Sequence, residues 1–229
     1  MIQNGYMNLS VQKAFAKGVA GCIEHATLAT ELLHDAKKTK RQICMIWLDL
    51  ANAYGSVRHS LIRFALEWYH FPEPFIKLLL DYYDGINLFV KTKEWCSDWF
   101  PLRIGVAQGC TASTIIFNVV FQLVLDIHAF LIADLKMGCT ISKSNITITA
   151  PAFADDVKLV ATSPKLCQKS IAAFEQALDW TITMRLKPPK CKSLAFRLFN
   201  KTTKTEFVAH QKLAYSSFDP RLQVYGNLV

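Results

Sequence analysis

Three carboxylates in this 229-residue chain interrupt apolar stretches: Asp49 closes the run ICMIWL (residues 43–48), and Asp155 and Asp156 stand together inside APAFADDVKLVA. Acids are disfavoured in strands and cores, so three at such positions need a reason. Neighbouring strands lie roughly 4.8 Å apart. A strand ending in Asp49 beside a hairpin tipped by Asp155 and Asp156 would therefore gather three like charges at one point, and such a cluster needs a cation. Oxygen-only ligands favour Mg²⁺ or Mn²⁺ over zinc, and two such ions about 3.5–4 Å apart clamp an in-line phosphoryl transfer. The competing reading of an isolated Asp-Asp pair is an exposed β-turn, with Asp49 capping a helix.

The elements that must hold these residues follow from periodicity. Ile23, Leu28, Leu32 and Leu33 predict a helix over 23–36 that ends in the basic cluster Lys37, Lys38, Lys40 and Arg41. The all-apolar run 43–48 predicts a strand covered on both faces. Helices are expected over 61–69 and 75–83, separated by Pro72 and Pro74, then short strands and turns over 87–103, where Trp95 and Trp99 are expected to pack in the core or else to stack on bases. Residues 114–135 are apolar enough to suggest a membrane span. They carry Asn118, Gln122, Asp126, His128 and Asp134, however, and read as a mostly buried helix with one narrow polar stripe. Strand-like alternation at 146–148 and again at 157–160 places Asp155 and Asp156 at a hairpin tip. A helix over 170–181 ends before Pro188 and Pro189. The order lacks a βαβ rhythm and predicts an α+β fold, an antiparallel sheet with helices packed on one face.

Composition narrows the class. Hydrophobic residues make up 52% and charged residues 19%, which excludes a disordered or collagenous chain. Seven cysteines without tight pairing, no C-x-x-C and an N-terminus unlike a signal peptide point to reduced thiols and an intracellular rather than secreted protein. The net charge of +8 is concentrated late: Arg185, Lys187, Lys190, Lys192, Arg197, Lys201, Lys204 and Lys212 face one acid, Glu206, in a stretch suited to phosphates or simply to solvent.

Four strings occur in one order: WLDLANAYGSV around Asp49, GVAQGCTAS (105–113), FADD (153–156) and LKPPKCKSL (186–194). Together they resemble the palm motifs of reverse transcriptases, most nearly the polymerase domain of non-LTR (LINE-type) retrotransposons, and VQKAFAKGVAGCIEH (11–25) extends the likeness upstream. The resemblance implies a polymerase palm with partial fingers and an RNA-directed DNA polymerase adding dNTPs to a primer 3′-OH. Its partners are an RNA template and a DNA primer, its cofactor Mg²⁺ or Mn²⁺, and its site of action the nucleus, with no membrane. It implies that Asp49 and Asp155 bind both ions and Asp156 completes the acidic set. It further implies that Tyr54 is the ring that excludes a ribose 2′-hydroxyl, that Gln108 and Gly109, with Ser113 of the same motif, border the nucleotide, and that Lys190 or Lys192 gives a proton to pyrophosphate. Cys191, between those lysines, reads as a packed thiol.

The expected layout is partial fingers (1–36), palm (37–60), a helical and finger-like insertion (61–104), palm (105–200) and an incomplete connection toward a missing thumb (201–229). The basic upstream fingers residues are expected to be absent, which keeps open a catalytically inactive relic that retains the fold and binds RNA. An RNA-dependent RNA polymerase is disfavoured by Tyr54 and KPPKCK, and a general basic binding module predicts affinity indifferent to divalent metal. Ala14, Thr114 and Thr183 stand where many relatives have glycine, proline and glycine.

Overall fold

The computed structural model describes residues 1–198 and 205–207, apart from 17, 136 and 143, with side chains described as far as residue 195. In chain order the elements are α1 (Cys22–Thr39), β1 (Ile43–Leu48), α2 (His59–Trp68), α3 (Glu73–Asp84), β2 (Asn87–Leu88), β3 (Phe100–Pro101) and α4 (Thr111–Ile132). They continue with β4 (Cys139–Thr140), β5 (Thr147–Ile148), β6 (Ala152–Phe153), β7 (Asp156–Ala161), α5 (Pro164–Trp180), β8 (Lys192–Leu198) and β9 (Thr205–Phe207).

The strand β1 is apolar at every position because both its faces are covered. Cys44, Ile46 and Leu48 join the main core with Val157, Leu159 and Ala161 of β7, Phe117, Val120 and Val124 of α4, and Phe174 of α5. The alternate residues Ile43 and Met45 join a smaller cluster with Leu32 and Ala36 of α1, Val160, Cys139 and Ile148. This is the period of two expected of a strand. The sheet is antiparallel in the order β6-β7-β1-β8-β9. The α+β architecture is as the sequence leads one to expect, with α1 and the β4–β5 ribbon added on the second face.

Helix α4 is long and apolar enough to cross a membrane, but 67% of its most apolar stretch is buried inside the fold. Its polar stripe is spent internally. Asn118 Nδ2 donates to the Ala14 carbonyl (2.9 Å), Gln122 Nε2 donates to Asp126 Oδ1 (2.7 Å), and the Tyr69 hydroxyl donates to Asp126 Oδ2 (2.8 Å). These bonds offset part of the cost of burying polar residues there, although Asn118 Oδ1 and Gln122 Oε1 accept no hydrogen bond among the described residues.

Several expectations need correction. Helix α5 starts six residues earlier than its apolar spacing suggests, because the Ser163 hydroxyl accepts from the Leu166 N–H (3.3 Å) and Pro164 fits the first turn. Pro74 likewise lies in the first turn of α3 and starts it. Residues 147–148 pair with β4, so the upstream arm of the acidic hairpin is β6. Trp95 and Trp99 lie outside the core, 55% and 67% exposed, on a short ribbon whose strand residues are themselves exposed; Trp99 packs only against Phe89 among the described rings. The cysteines form no disulfide among the described residues, and Cys191 is buried as a packed thiol, its Sγ 3.6 Å from the Lys187 carbonyl. Of the late basic stretch, Lys201, Lys204, Lys212 and the Arg197 side chain lie outside the described residues, as does most of 201–229.

Candidate active site

Beyond Leu48 the chain pairs with the segment that leads into β8. The Ala51 N–H donates to the Arg185 carbonyl (2.9 Å), Leu50 bridges Leu186, and the Lys187 N–H donates to the Asp49 carbonyl (2.7 Å). The backbone of Asp49 is thus held while its side chain stays 26% exposed. Asp49 caps no helix, for the next helical turn, Tyr54–Ser56, begins after Ala53. A 3-10 turn at Pro188–Lys190, with both prolines fixing φ, carries Lys190 back toward the acid, and its Nζ lies 3.8 Å from Asp49 Oδ2. Lys192 is instead the first residue of β8, exposed and paired with Trp47. The geometry separates two lysines that spacing alone left equivalent.

Asp155 comes from the β6–β7 tip. Phe153 pairs with Asp156, so the loop is two residues, Ala154 and Asp155. Ala154 has φ 52°, a left-handed conformation that costs a residue with a Cβ about 1–2 kcal/mol. It is held by Gln12, whose Oε1 accepts from the Ala154 N–H (2.9 Å) and the Ala14 N–H (3.1 Å) and whose Nε2 donates to the Ala154 carbonyl (3.1 Å). The β1–β7 register, which sets Leu48 opposite Val157, brings Asp49 opposite Asp156 when carried one residue further. Burial pushes the Asp155 carboxyl above the usual range, and the negative charges of Asp156 and Asp49 push it further. A hydrogen bond from its own amide and the charge of Lys190 pull the other way. Asp156 is exposed at the first position of β7.

As the side chains stand, no three His, Cys, Asp or Glu groups among the described residues converge closely enough to enclose a metal ion. The donor set fits one nonetheless. Asp49 Oδ2 is a buried carboxylate oxygen that accepts no hydrogen bond among the described residues, and Asp155 ionises reluctantly beside it. An unsatisfied, desolvated anion of this kind is relieved by a hard cation.

Tyr54 lies on the same side, close enough for the charge of Asp155, after burial, to raise its hydroxyl pKa. Its ring stacks on Phe117 of α4 at 4.7 Å and 9°. The loop before α4 is pressed against it: the Val106 N–H donates to the Tyr54 carbonyl (2.9 Å), and a Cβ on Gly105 (φ 93°) would lie 3.0 Å from Gly55 Cα and 3.2 Å from the Tyr54 carbonyl oxygen. Gln108 and Gly109 are exposed at the turn that follows, and around Gly109 (φ 92°) there is open space. Ser113 faces elsewhere. It is 1% exposed, and its Oγ lies 3.3 Å from the Tyr83 hydroxyl, so it packs α4 on α3. Gln12, Gly105 and Phe117 also support the site; the first two lie inside the strings VQKAFAKGVAGCIEH and GVAQGCTAS, but nothing in their residue types singles them out there.

A family model described as reverse transcriptase (RNA-dependent DNA polymerase) matches residues 4–216. The chain is similar to the Retrovirus-related Pol polyprotein from type-2 retrotransposable element R2DM of Drosophila melanogaster, 27% identical over 179 residues that make up 77% of this chain and 16% of that protein. It is also similar to the Transposon TX1 uncharacterized 149 kDa protein of Xenopus laevis, 26% identical over 69% of this chain and 12% of that one. The chain thus spans less than a fifth of the length of these two relatives. Among solved structures, apo telomerase from Candida tropicalis superposes with a TM-score of 0.57 at 16% identity, covering 81% of this chain and 37% of that one, a likeness of fold.

Two outcomes are expected. In urea unfolding, Gly105→Ala destabilises the fold by about 1–3 kcal/mol, since it combines backbone strain with a clash, whereas Gly109→Ala costs about 1 kcal/mol. Equal losses would contradict the close approach of Gly105 to Tyr54. A carboxyl whose folded pKa is raised contributes stability that is present below the ordinary carboxylate range and lost as pH rises through the raised value. In metal-free buffer Asp155→Asn therefore raises the Tm at pH 7.5 by on the order of 1–3 °C, with the gap closing below about pH 4. An unchanged or lower Tm at pH 7.5 would contradict the charge crowding.

Proposed function

Because the chain belongs to the reverse transcriptase (RNA-dependent DNA polymerase) family, its described acids and lysine can be given roles, and we propose that it catalyses RNA-templated addition of dNTPs to a primer 3′-OH. The observation that carries this reading is the meeting of Asp155 with the unsatisfied Asp49 Oδ2 under Lys190. Asp49 and Asp155 would hold Mg²⁺, or Mn²⁺ in its place, with Asp156 completing the acidic set. When bound, such ions lower the pKa of an attacking hydroxyl and neutralise a phosphoryl leaving group.

The chain's own residues do the rest. The primer 3′ oxygen bonds to the α-phosphorus as the bond to the bridging oxygen of pyrophosphate breaks, and the 3′ proton passes to solvent. Lys190, 59% exposed at its side chain and facing the acids, gives its Nζ proton to the departing pyrophosphate. Tyr54, fixed in plane by its stack on Phe117, presents a ring edge that a deoxyribose clears and a 2′-hydroxyl does not. Gln108 and Gly109, at an exposed turn with room around the glycine, border the incoming nucleotide and the template base. The palm and partial-fingers layout and a nuclear site of action belong to the same proposal. A nucleic-acid template is supported by the family and by the fold shared with a telomerase that has been solved with a fragment of telomeric RNA.

The test is primer extension on poly(rA)/oligo(dT) with dTTP and Mg²⁺ or Mn²⁺. Extension is expected from the wild-type chain, with loss of at least about 100-fold in Asp155→Asn. Extension that survives Asp155→Asn, or none from a folded wild-type protein, would overturn the reading.

A further inference from the structure

The only described side chain that hydrogen-bonds the backbone of Ala154 is Gln12, 142 residues away and fully buried. The strap that carries it is tied down independently. The Lys13 N–H donates to the Ala152 carbonyl (2.9 Å), the Ala152 N–H donates to the Val11 carbonyl (2.8 Å), and Asn118 of α4 donates to the Ala14 carbonyl. The backbone that carries the Gln12 amide is thus anchored on one side to the sheet edge and on the other to the central helix. The amide grips both polar groups of the one loop residue that is in a strained conformation.

An uncharged amide suits this task. It accepts through one oxygen from two N–H groups and donates through its nitrogen to a carbonyl, a set of roles that no aliphatic, hydroxyl or carboxylate side chain of that length reproduces. Without it, the Ala154 N–H and carbonyl would be buried unpaired, and the left-handed φ would have nothing to hold it. Gln12 thus holds the two successive peptides on either side of the Ala154 Cα, and the second, whose carbonyl it binds, joins Ala154 to Asp155 and sets the direction in which that carboxylate leaves the chain.

We infer that Gln12 is a positioning residue for Asp155. It touches no substrate; it fixes the hairpin tip in the orientation that sets Asp155 against Asp49. This rests on the polymerase reading of the acidic site. The β6–β7 pairing and the bridge to Ala152 are made by backbone alone. Removal of the amide therefore loosens the tip and leaves the sheet in place.

Two substitutions separate its contacts. Gln12→Met keeps the length and loses every hydrogen bond, whereas Gln12→Glu keeps the acceptor for the Ala154 N–H and loses the donor to its carbonyl. Amide hydrogen exchange followed by NMR on the full chain, without nucleotide, reads the tip directly. In the wild type the Ala154 amide is protected. In Gln12→Met it exchanges about 10-fold faster or more, with the β1 and α4 amides little changed, and in Gln12→Glu it stays protected. In single-nucleotide extension both variants lower kcat by roughly 10- to 100-fold and leave the KM for dTTP within about two-fold.

An unprotected Ala154 amide in the wild type overturns the inference even if neither variant folds. So does a rise in exchange spread evenly over the fold in Gln12→Met, or a KM that rises while kcat holds. If the wild type folds but does not extend primers, the polymerase reading fails, and the exchange data still decide whether Gln12 holds the tip.

Discussion

Five successive pairs, from Cys44 with Ala161 to Leu48 with Val157, decide where the acids meet. A slip of one residue would turn every side chain of β7 to the opposite face and carry Asp155 away from Asp49. The register is protected by burial on both faces of β1, since a slipped strand would have to present Leu159 and Val160 to the wrong clusters. The catalytic proposal therefore rests first on apolar packing. The carboxylates occupy the place where that packing stops.

The site is destabilising in itself. A carboxylate with its ionisation suppressed, a buried anionic oxygen that accepts no hydrogen bond among the described residues and an alanine at positive φ lie within a few residues of two strand ends. Functional sites commonly store strain of this kind where the surrounding structure over-determines it. Here the surroundings are the Tyr54–Phe117 stack, the Gly105 approach and the strap at residues 11–14, all of which lean on α4 or on the sheet edge. That explains why α4 is apolar on nearly every side and why Asn118, among its few polar residues, points at the strap.

Much of this was legible in the sequence, for identifiable reasons. ICMIWL had to be covered on both faces, and acids between strand patterns had to sit at a tip. What stayed hidden depends on partners far apart in the chain. Alternation at 146–148 marks a strand but names no partner, and Cys139–Thr140 takes it before β7 can. Gln12 sits among ordinary residues, and its importance appears only when Ala154 is brought to it. Lys190 and Lys192 differ by two positions, and only the Pro188–Lys190 turn sends one of them to Asp49. Trp95 and Trp99 look like core by type, yet they sit on a two-stranded ribbon too short to bury them. Ser113 lies in the motif whose Gln108 and Gly109 are proposed to border the nucleotide, but its position in the first turn of α4 sets its hydroxyl beside that of Tyr83.

The central claim is that Asp49 and Asp155 form one divalent-cation site at the junction of β1 and the β6–β7 tip. It is tested most directly by anomalous diffraction from crystals grown with Mn²⁺ and a non-hydrolysable dTTP analogue. The predicted result is a manganese peak with carboxylate oxygens of both Asp49 and Asp155 at about 2.1 Å. Manganese held elsewhere, with the nucleotide ordered and these two carboxylates unliganded, would contradict it.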